Sequence, residues 1–308
     1  MATTAPLKLS SSSKPKSQRS YSYSSRSCRL LGHRLRVGCG SGLCRRHIMA
    51  SSSSSAGIPA ATLYDMPISN HGARVRYAIY AKDIQDVVHI VSPNELGGLK
   101  SEEYLKRNPQ GKMPLLVLAD GTALPESEII VQYLLDAYAD RGPSLKPDDA
   151  VSRAKAAYVC RHHDMYIASV QGCMYRAMPS TEARATQLAE LYKQLCVLES
   201  LCSSPEDGPY FLPGTTATHA DGAIVPTMCF CFYALPKYFG WPGEHKASLS
   251  AFPKLSAWFA SCQASDANLK KVADEVTGAL GAWDEGGRWE TVGAIADVKN
   301  TEYKWTYP

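Results

Sequence analysis

Apolar and polar positions alternate in two different regimes along the chain. In residues 61–138, short apolar runs are interleaved with amphipathic stretches. The run 62–66 reads as a short strand that opens the ordered part. Val75, Ala78 and Ile79 then recur at three- and four-residue steps, which predicts a helix over 73–82. The β-branched run 87–91 reads as a buried strand. Strand, helix and strand in that order predict a parallel pair joined by a right-handed crossover. Residues 114–118 supply a third strand. Asp120-Gly121 gives a tight turn, and Ala123-Leu124 begins a fourth strand antiparallel to the third. Ile129, Ile130, Tyr133 and Leu134 share one face of a helix predicted over 126–138.

Residues 141–149 are rich in Gly, Pro and Asp, have no period, and read as a linker. Beyond them the helical period dominates, with helices predicted over 150–177, 181–203, 218–235 and 252–264. Thr218 and Asp221 have the spacing of a capping box at the start of a buried helix. The last stretch, 283–308, carries Trp283, Trp289 and Trp305 with little periodicity, as either a covering extension or a frayed end. The expected organisation is an α/β domain over 61–140, a linker over 141–149, an all-α domain over 150–275 and a C-terminal extension over 276–308.

Composition changes the picture at the N-terminus. Residues 1–60 hold ten Lys/Arg, sixteen Ser and no Asp or Glu, a charge of +10 against −6 for the rest of the chain. An acid-free, Ser- and Arg-rich start describes an organellar transit peptide, disordered on its own. The weight of Ser over Arg points to the plastid stroma. Ile48-Met49-Ala50 resembles a stromal cleavage site, Val37-Gly38-Cys39 is a second, and Met49 is also a possible internal start giving a cytosolic form. The net charge of +4 averages two regimes and implies no nucleic-acid partner. No run of 18 apolar residues exists, so no membrane-spanning helix is expected. Seven cysteines follow residue 60, an odd number without regular spacing, as for free thiols in a reducing compartment.

Four runs carry a resemblance. Asn108-Pro109-Gln110-Gly111-Lys112-Met113-Pro114-Leu115-Leu116, then Leu124-Pro125-Glu126-Ser127, are similar to the glutathione-binding half of the soluble glutathione transferases. Phe211-Leu212-Pro213-Gly214 with Thr218-His219-Ala220-Asp221, then Phe252-Pro253-Lys254-Leu255 and Trp258, resemble the family's helical half in the same order. The resemblance covers about residues 61–265. It implies a thioredoxin-like N-terminal domain, an all-α C-terminal domain, glutathione as co-substrate, a hydrophobic electrophile as the second substrate, and a homodimer.

The resemblance also assigns roles. Ser69 stands five residues before Arg74, the spacing of the serine-dependent zeta-like and tau-like members. There a hydroxyl and a helix N-terminus stabilise the thiolate of glutathione. By local sequence alone Ser69 reads as a helix cap. Asn70 takes its place if the alignment slips by one residue. His71 stands where relatives carry other residues, either as a base or hydrogen-bonding group or as a solvated turn residue. Met113-Pro114 is implied to be a cis bond whose preceding residue pairs its backbone with the cysteinyl part of glutathione. Lys112 is either placed to meet the glycyl carboxylate or is a surface lysine. Glu126 and Ser127, at a helix start, suit the γ-glutamyl group, because free N–H groups there favour a carboxylate.

No cysteine lies between residues 61 and 159, which excludes the thiol-disulfide chemistry of the cysteine-dependent relatives at this turn. Tyr158, His162, Met165, Tyr166 and Ser169 recur at helical steps as either core or the wall of an acceptor pocket. No metal is expected: His162 and His163 are adjacent on a helix and point about 100° apart, and Cys229 and Cys231 split likewise. Conjugation is the principal reading. A zeta-like isomerase, a glutathione peroxidase, or a non-catalytic ligand-binding or interaction protein on the same fold are the alternatives.

Overall fold

The computed structural model describes residues 60–307. The transit segment expected over 1–60, apart from its last residue, its cleavage positions and the internal start at Met49 therefore lie outside the described residues. Strand β1 (Ala61–Tyr64) leads into helix α1 (Asn70–Ala81), and β2 (Val88–Val91) returns parallel to β1 with Leu63 opposite Ile90. Helix α2 (Glu102–Arg107) follows, then β3 (Leu115–Val117), antiparallel to β1, and β4 (Ala123–Pro125), antiparallel to β3. Helix α3 (Ser127–Ala137) closes this unit. The sheet order β2-β1-β3-β4 is that of a thioredoxin-like domain, as the alternation of signals predicts.

Hydrophobic burial holds the layers together. Leu63, Ile79, Ile84, Leu116, Ile130 and Leu134 are all fully buried. At about 1.5–3 kcal/mol each, such side chains supply most of the drive to close helices on sheet. The other face of α1 meets the helical part, where one residue sets the spacing. A Cβ on Gly222 would stand 2.3 Å from Cδ1 of Tyr77, so the bare backbone at 222 is what lets α1 lie against its neighbour.

The helical part comprises α4 (Ala150–His162), α5 (Thr181–Leu201), α6 (His219–Phe239), α7 (Pro253–Ser265), α8 (Ala267–Glu285), α9 (Arg288–Thr291) and α10 (Ala294–Val298). Helix α6 is buried almost all round and forms its centre. The predicted capping box is present: the Thr218 hydroxyl accepts from a backbone N–H and the Asp221 carboxylate accepts from the Thr218 N–H at 2.9 Å. Asp221 also accepts from Phe211 N–H at 2.7 Å and Trp258 Nε1–H at 2.9 Å, which ties together the last two of the runs singled out in the sequence.

Two expectations need correction. The helix expected over 150–177 breaks at His162 into a π-helical turn over His163–Ile167 and a 3₁₀ turn over Gln171–Met174. The extra residue in the π turn swings His163 inward, where it bonds Thr227, while the Ser169 hydroxyl donates to the carbonyls of Met165 and Tyr166. The boundary drawn at 275 falls inside α8, whose buried face continues through Val276 and Leu280. Of the two readings of the tail, the covering extension is the one seen. Trp289 is fully buried and donates to Met174 O at 2.9 Å, and Trp241 donates to Trp305 O at 2.8 Å.

Candidate functional site

The turn between β1 and α1 is built around a buried carboxylate. Asp65 pairs with Arg76 beneath the first turn of α1, and a Cβ on Gly72 would fall 1.7 Å from its Oδ1. Burial raises Asp65 to about 6, against the pull of Arg76 and of hydrogen bonds from the Met66 backbone and the Ser69 hydroxyl. Ser69 is the N-cap of α1: its Oγ accepts the Gly72 N–H at 3.0 Å, and the residue is 8% exposed. Its oxygen is thus engaged by the backbone of the first turn. Asn70 points the other way, into the helical part, where its amide donates to Gln171 Oε1 at 2.9 Å and Thr227 Oγ1 at 2.8 Å.

Beside this turn lies a cleft of about 830 Å³ between the two parts of the chain. Neither Ser69 nor Asn70 lines it; His71 does. The assignment of Asn70 to the site is corrected on this ground, because its side chain is spent on the inter-helix network. The five binding residues predicted from the sequence, Lys112, Met113, Pro114, Glu126 and Ser127, all line the cleft.

Each of the five is held by its local structure. The Met113–Pro114 bond is cis. The loop before it is fixed by Tyr104 Oη–H and Asn108 Nδ2–H, which donate to Lys112 O at 2.8 and 2.7 Å. Glu126 sits at φ 70°, ψ 112°, a conformation that costs a non-glycine residue about 1–3 kcal/mol, and its side chain caps nothing. Ser127 is the first residue of α3 and is buried at the cleft wall, with the α3 N–H groups beside it.

The floor is a buried ionic network that the sequence reading missed. The Arg74 guanidinium donates to Asp164 at 2.8 and 3.2 Å, to Glu128 at 3.3 Å, to Ser127 Oγ at 3.4 Å and to His163 Nδ1 at 2.9 Å. Arg74 served in the sequence only as a spacing marker. Its periodic position on α1 is the signal that would have placed it inside. Burial opposes charge on Asp164, yet bonds from His163 and Arg74 outweigh it and hold the carboxyl below its usual range. His163 Nδ1 lies 2.9 Å from both Arg74 Nη2 and Asp164 Oδ1, and its Nε2 lies 2.7 Å from Thr227 Oγ1. Burial lowers His163, consistent with a neutral ring.

His71 occupies the cleft end of this network. Its ring packs edge-on to His163, with centroids 5.6 Å apart. Burial, aided by His163 and Arg74, lowers it to about 3, so the imidazole is neutral near pH 7. Among the described residues its ring nitrogens form no hydrogen bond, unlike those of His163.

The helical wall contributes Ala157, Cys160, Arg161, Met165, Ala168 and Ser169. Of the stripe expected to line an acceptor pocket, Met165 and Ser169 reach the cleft. His162 turns away to Gln194 O at 3.3 Å, and Tyr158 and Tyr166 flank it at the surface. Cys160 Sγ lies 3.3 Å from His219 Nδ1, but burial pushes the thiol far up and keeps it protonated. Two groups have metal-ligand proximity: His71 with His163 and Asp164, and Glu128 with Cys160 and His219. In the first, Arg74 already occupies the Nδ1 side of His163, which opposes a cation there.

Residues 63–143 match the family model described as Glutathione S-transferase, N-terminal domain. The chain is similar to the Zea mays protein named Probable glutathione S-transferase BZ2, 32% identical over 206 residues that span 62% of this chain and 81% of that one. It is also similar to Glutathione S-transferase U18 of Arabidopsis thaliana, 29% identical over 216 residues, 66% of this chain and 86% of the relative. In fold it matches glutathione transferase F2 of Populus trichocarpa with a TM-score of 0.56 at 23% identity, over 71% of this chain and 99% of the other.

Proposed function

The chain belongs to the glutathione S-transferase family, and we propose that it conjugates glutathione to hydrophobic electrophiles in the cleft beside α1. The observation that carries this reading is the convergence on one cleft of the cis Met113–Pro114 bond, the N-terminus of α3 with Ser127, and the first turn of α1. Each offers what one part of the tripeptide needs. Ser127 and the free N–H groups of α3 suit the γ-glutamyl carboxylate, and Glu126 accepts from the amino group. The backbone of Met113 pairs with the cysteinyl unit, and Lys112 meets the glycyl carboxylate.

The sulfur then falls near α1. A free thiol has a pKa of ~8.5 and is mostly protonated at neutral pH. The partial positive charge at the α1 terminus and a hydrogen-bond donor favour the thiolate, each pKa unit being worth about 1.4 kcal/mol. The thiolate attacks an electrophilic carbon, and the displaced group leaves with the electron pair of its bond. Ile129, Ala157, Met165 and Ala168 give the electrophile an apolar wall.

A second reading, a glutathione-binding protein without turnover, is supported by the inward engagement of Ser69. Retention on immobilised glutathione combined with a chloronitroarene assay separates the two. We expect retention and turnover; retention with no turnover favours the binder, and no retention sinks both.

A further inference from the structure

We propose that His71, rather than Ser69, is the catalytic hydrogen-bond donor that holds the sulfur of glutathione as a thiolate in this protein. The inference rests on the conjugation reading above and deepens it. Three observations carry it.

The first is position. His71 is the second residue of α1 and lines the cleft together with Lys112, Met113 and Ser127, whereas Ser69 does not. Two residues along a helix turn the side chain by about 200°. Ser69 faces the backbone of the first turn, and His71 faces the cleft.

The second is availability. The Ser69 oxygen accepts from Gly72 N–H at 3.0 Å, in a residue only 8% exposed. The ring nitrogens of His71 have no such engagement, and a neutral imidazole always carries one N–H.

The third is orientation and charge state. His163, itself pinned by Arg74 and Thr227, backs the His71 ring edge-on, so the imidazole has a fixed wall behind it and the cleft in front. The charged and titratable neighbours of His71 are His163, Arg74, Asp164 and Lys112; burial together with His163, Arg74 and Lys112 keeps it neutral against the pull of Asp164. A neutral donor suits the task. The thiol proton leaves to bulk water, the imidazole keeps its own proton, and its N–H donates to the sulfur anion. No proton is transferred to the ring, and the carbon–sulfur bond forms as in the conjugation step above.

The test is the acidity of bound glutathione, followed by the ultraviolet absorbance of its thiolate as pH is varied. His71→Phe keeps the ring volume and removes the N–H. It is expected to raise the thiol pKa by about one unit and to lower kcat/KM about tenfold below pH ~7, with KM for glutathione changed less than about threefold. His71→Gln retains an N–H and is expected to recover most of the thiolate. Wild-type protein that binds glutathione while His71→Phe leaves its thiol pKa unchanged overturns this inference alone. A rise in Ser69→Ala with none in His71→Phe does the same. Wild-type protein that fails to bind glutathione overturns the conjugation reading as well. If His71→Phe does not fold, nitrogen NMR of the unaltered protein decides. Addition of glutathione is expected to move the N–H nitrogen of a ring that stays neutral; an unmoved or doubly protonated ring refutes the proposal.

Discussion

At the residue scale, the contrast between Ser69 and His71 shows what a sequence can and cannot specify. A serine five residues before Arg74, at a strand-to-helix turn, is readable as a helix start, and Ser69 does cap α1. Which side chain of the first turn faces the cleft depends on the rotation of the helix against the sheet, and that is set by Asp65, Arg76 and Gly72 packing beneath it. Those three lie in or beside the same turn, but the pairing of Asp65 with Arg76 across it is set by the fold, so the sequence reading did not find it. The same buried residues fix the pH response. His71 and His163 are held neutral by burial, with folded values below the unfolded value of 6.5. Below that pH the unfolded chain takes up protons that the folded chain refuses, so their contribution is present above about 6.5 and lost as pH falls. Asp65 acts in the opposite sense, since it holds its proton in the folded state up to about 6 and regains stability as pH falls through that value toward 3.8. Thermal unfolding is expected to show a loss of stability between pH ~7 and ~5 that is of order 1 kcal/mol smaller per pH unit in His71→Phe, and steeper in Asp65→Asn. Curves of equal slope for all three proteins would contradict this account.

At the element scale, the strands and the crossover were legible because a β-branched run and a three-four apolar step leave few alternatives. The break after His162 was not. The sequence 150–177 keeps a helical rhythm of apolar residues, but tertiary contacts of His163 with Arg74 and Thr227 outweigh that local preference and force the π turn. Only the fold reveals those partners, which lie 89 and 64 residues away in the chain. The tail was ambiguous for a related reason. Three tryptophans without a period are equally readable as a loose end, and it takes the structure to show Trp289 stacked on Tyr238 at 4.4 Å and bonded to Met174. Arg184 ties the same segment down, donating to Val292 O at 2.8 Å and pairing with Asp297 at 2.6 Å. Trp289→Ala is therefore expected to cost about 3–5 kcal/mol in urea unfolding, as for other fully buried large aromatics. A cost below about 1 kcal/mol would mean that the extension contributes little to the folded core.

At the scale of the whole molecule, the described chain buries its core well yet leaves large apolar side chains in water. Ile129 is 56% exposed on α3; Tyr158 and Tyr166 are 50% and 47% exposed on α4 and the π turn that follows it. Ile129 also lines the cleft, as does Met165, 46% exposed on the same π turn. Single exposed hydrophobics are ordinary, but several on adjoining elements mark a contact surface. The resemblance read from the sequence implies a homodimer, and an interface that buries these residues would also wall the open side of the cleft. A two-fold contact uses the same patch on both subunits, so one charged substitution places two like charges in the joint. The protein is expected to sediment at twice the monomer mass. Tyr158→Glu or Ile129→Lys is expected to shift it toward monomer at low micromolar concentration, with secondary structure by circular dichroism unchanged. If light scattering finds a monomer for the unaltered protein at every concentration, the exposed edge serves something other than self-association. If both variants remain dimeric, the joint lies elsewhere on the surface.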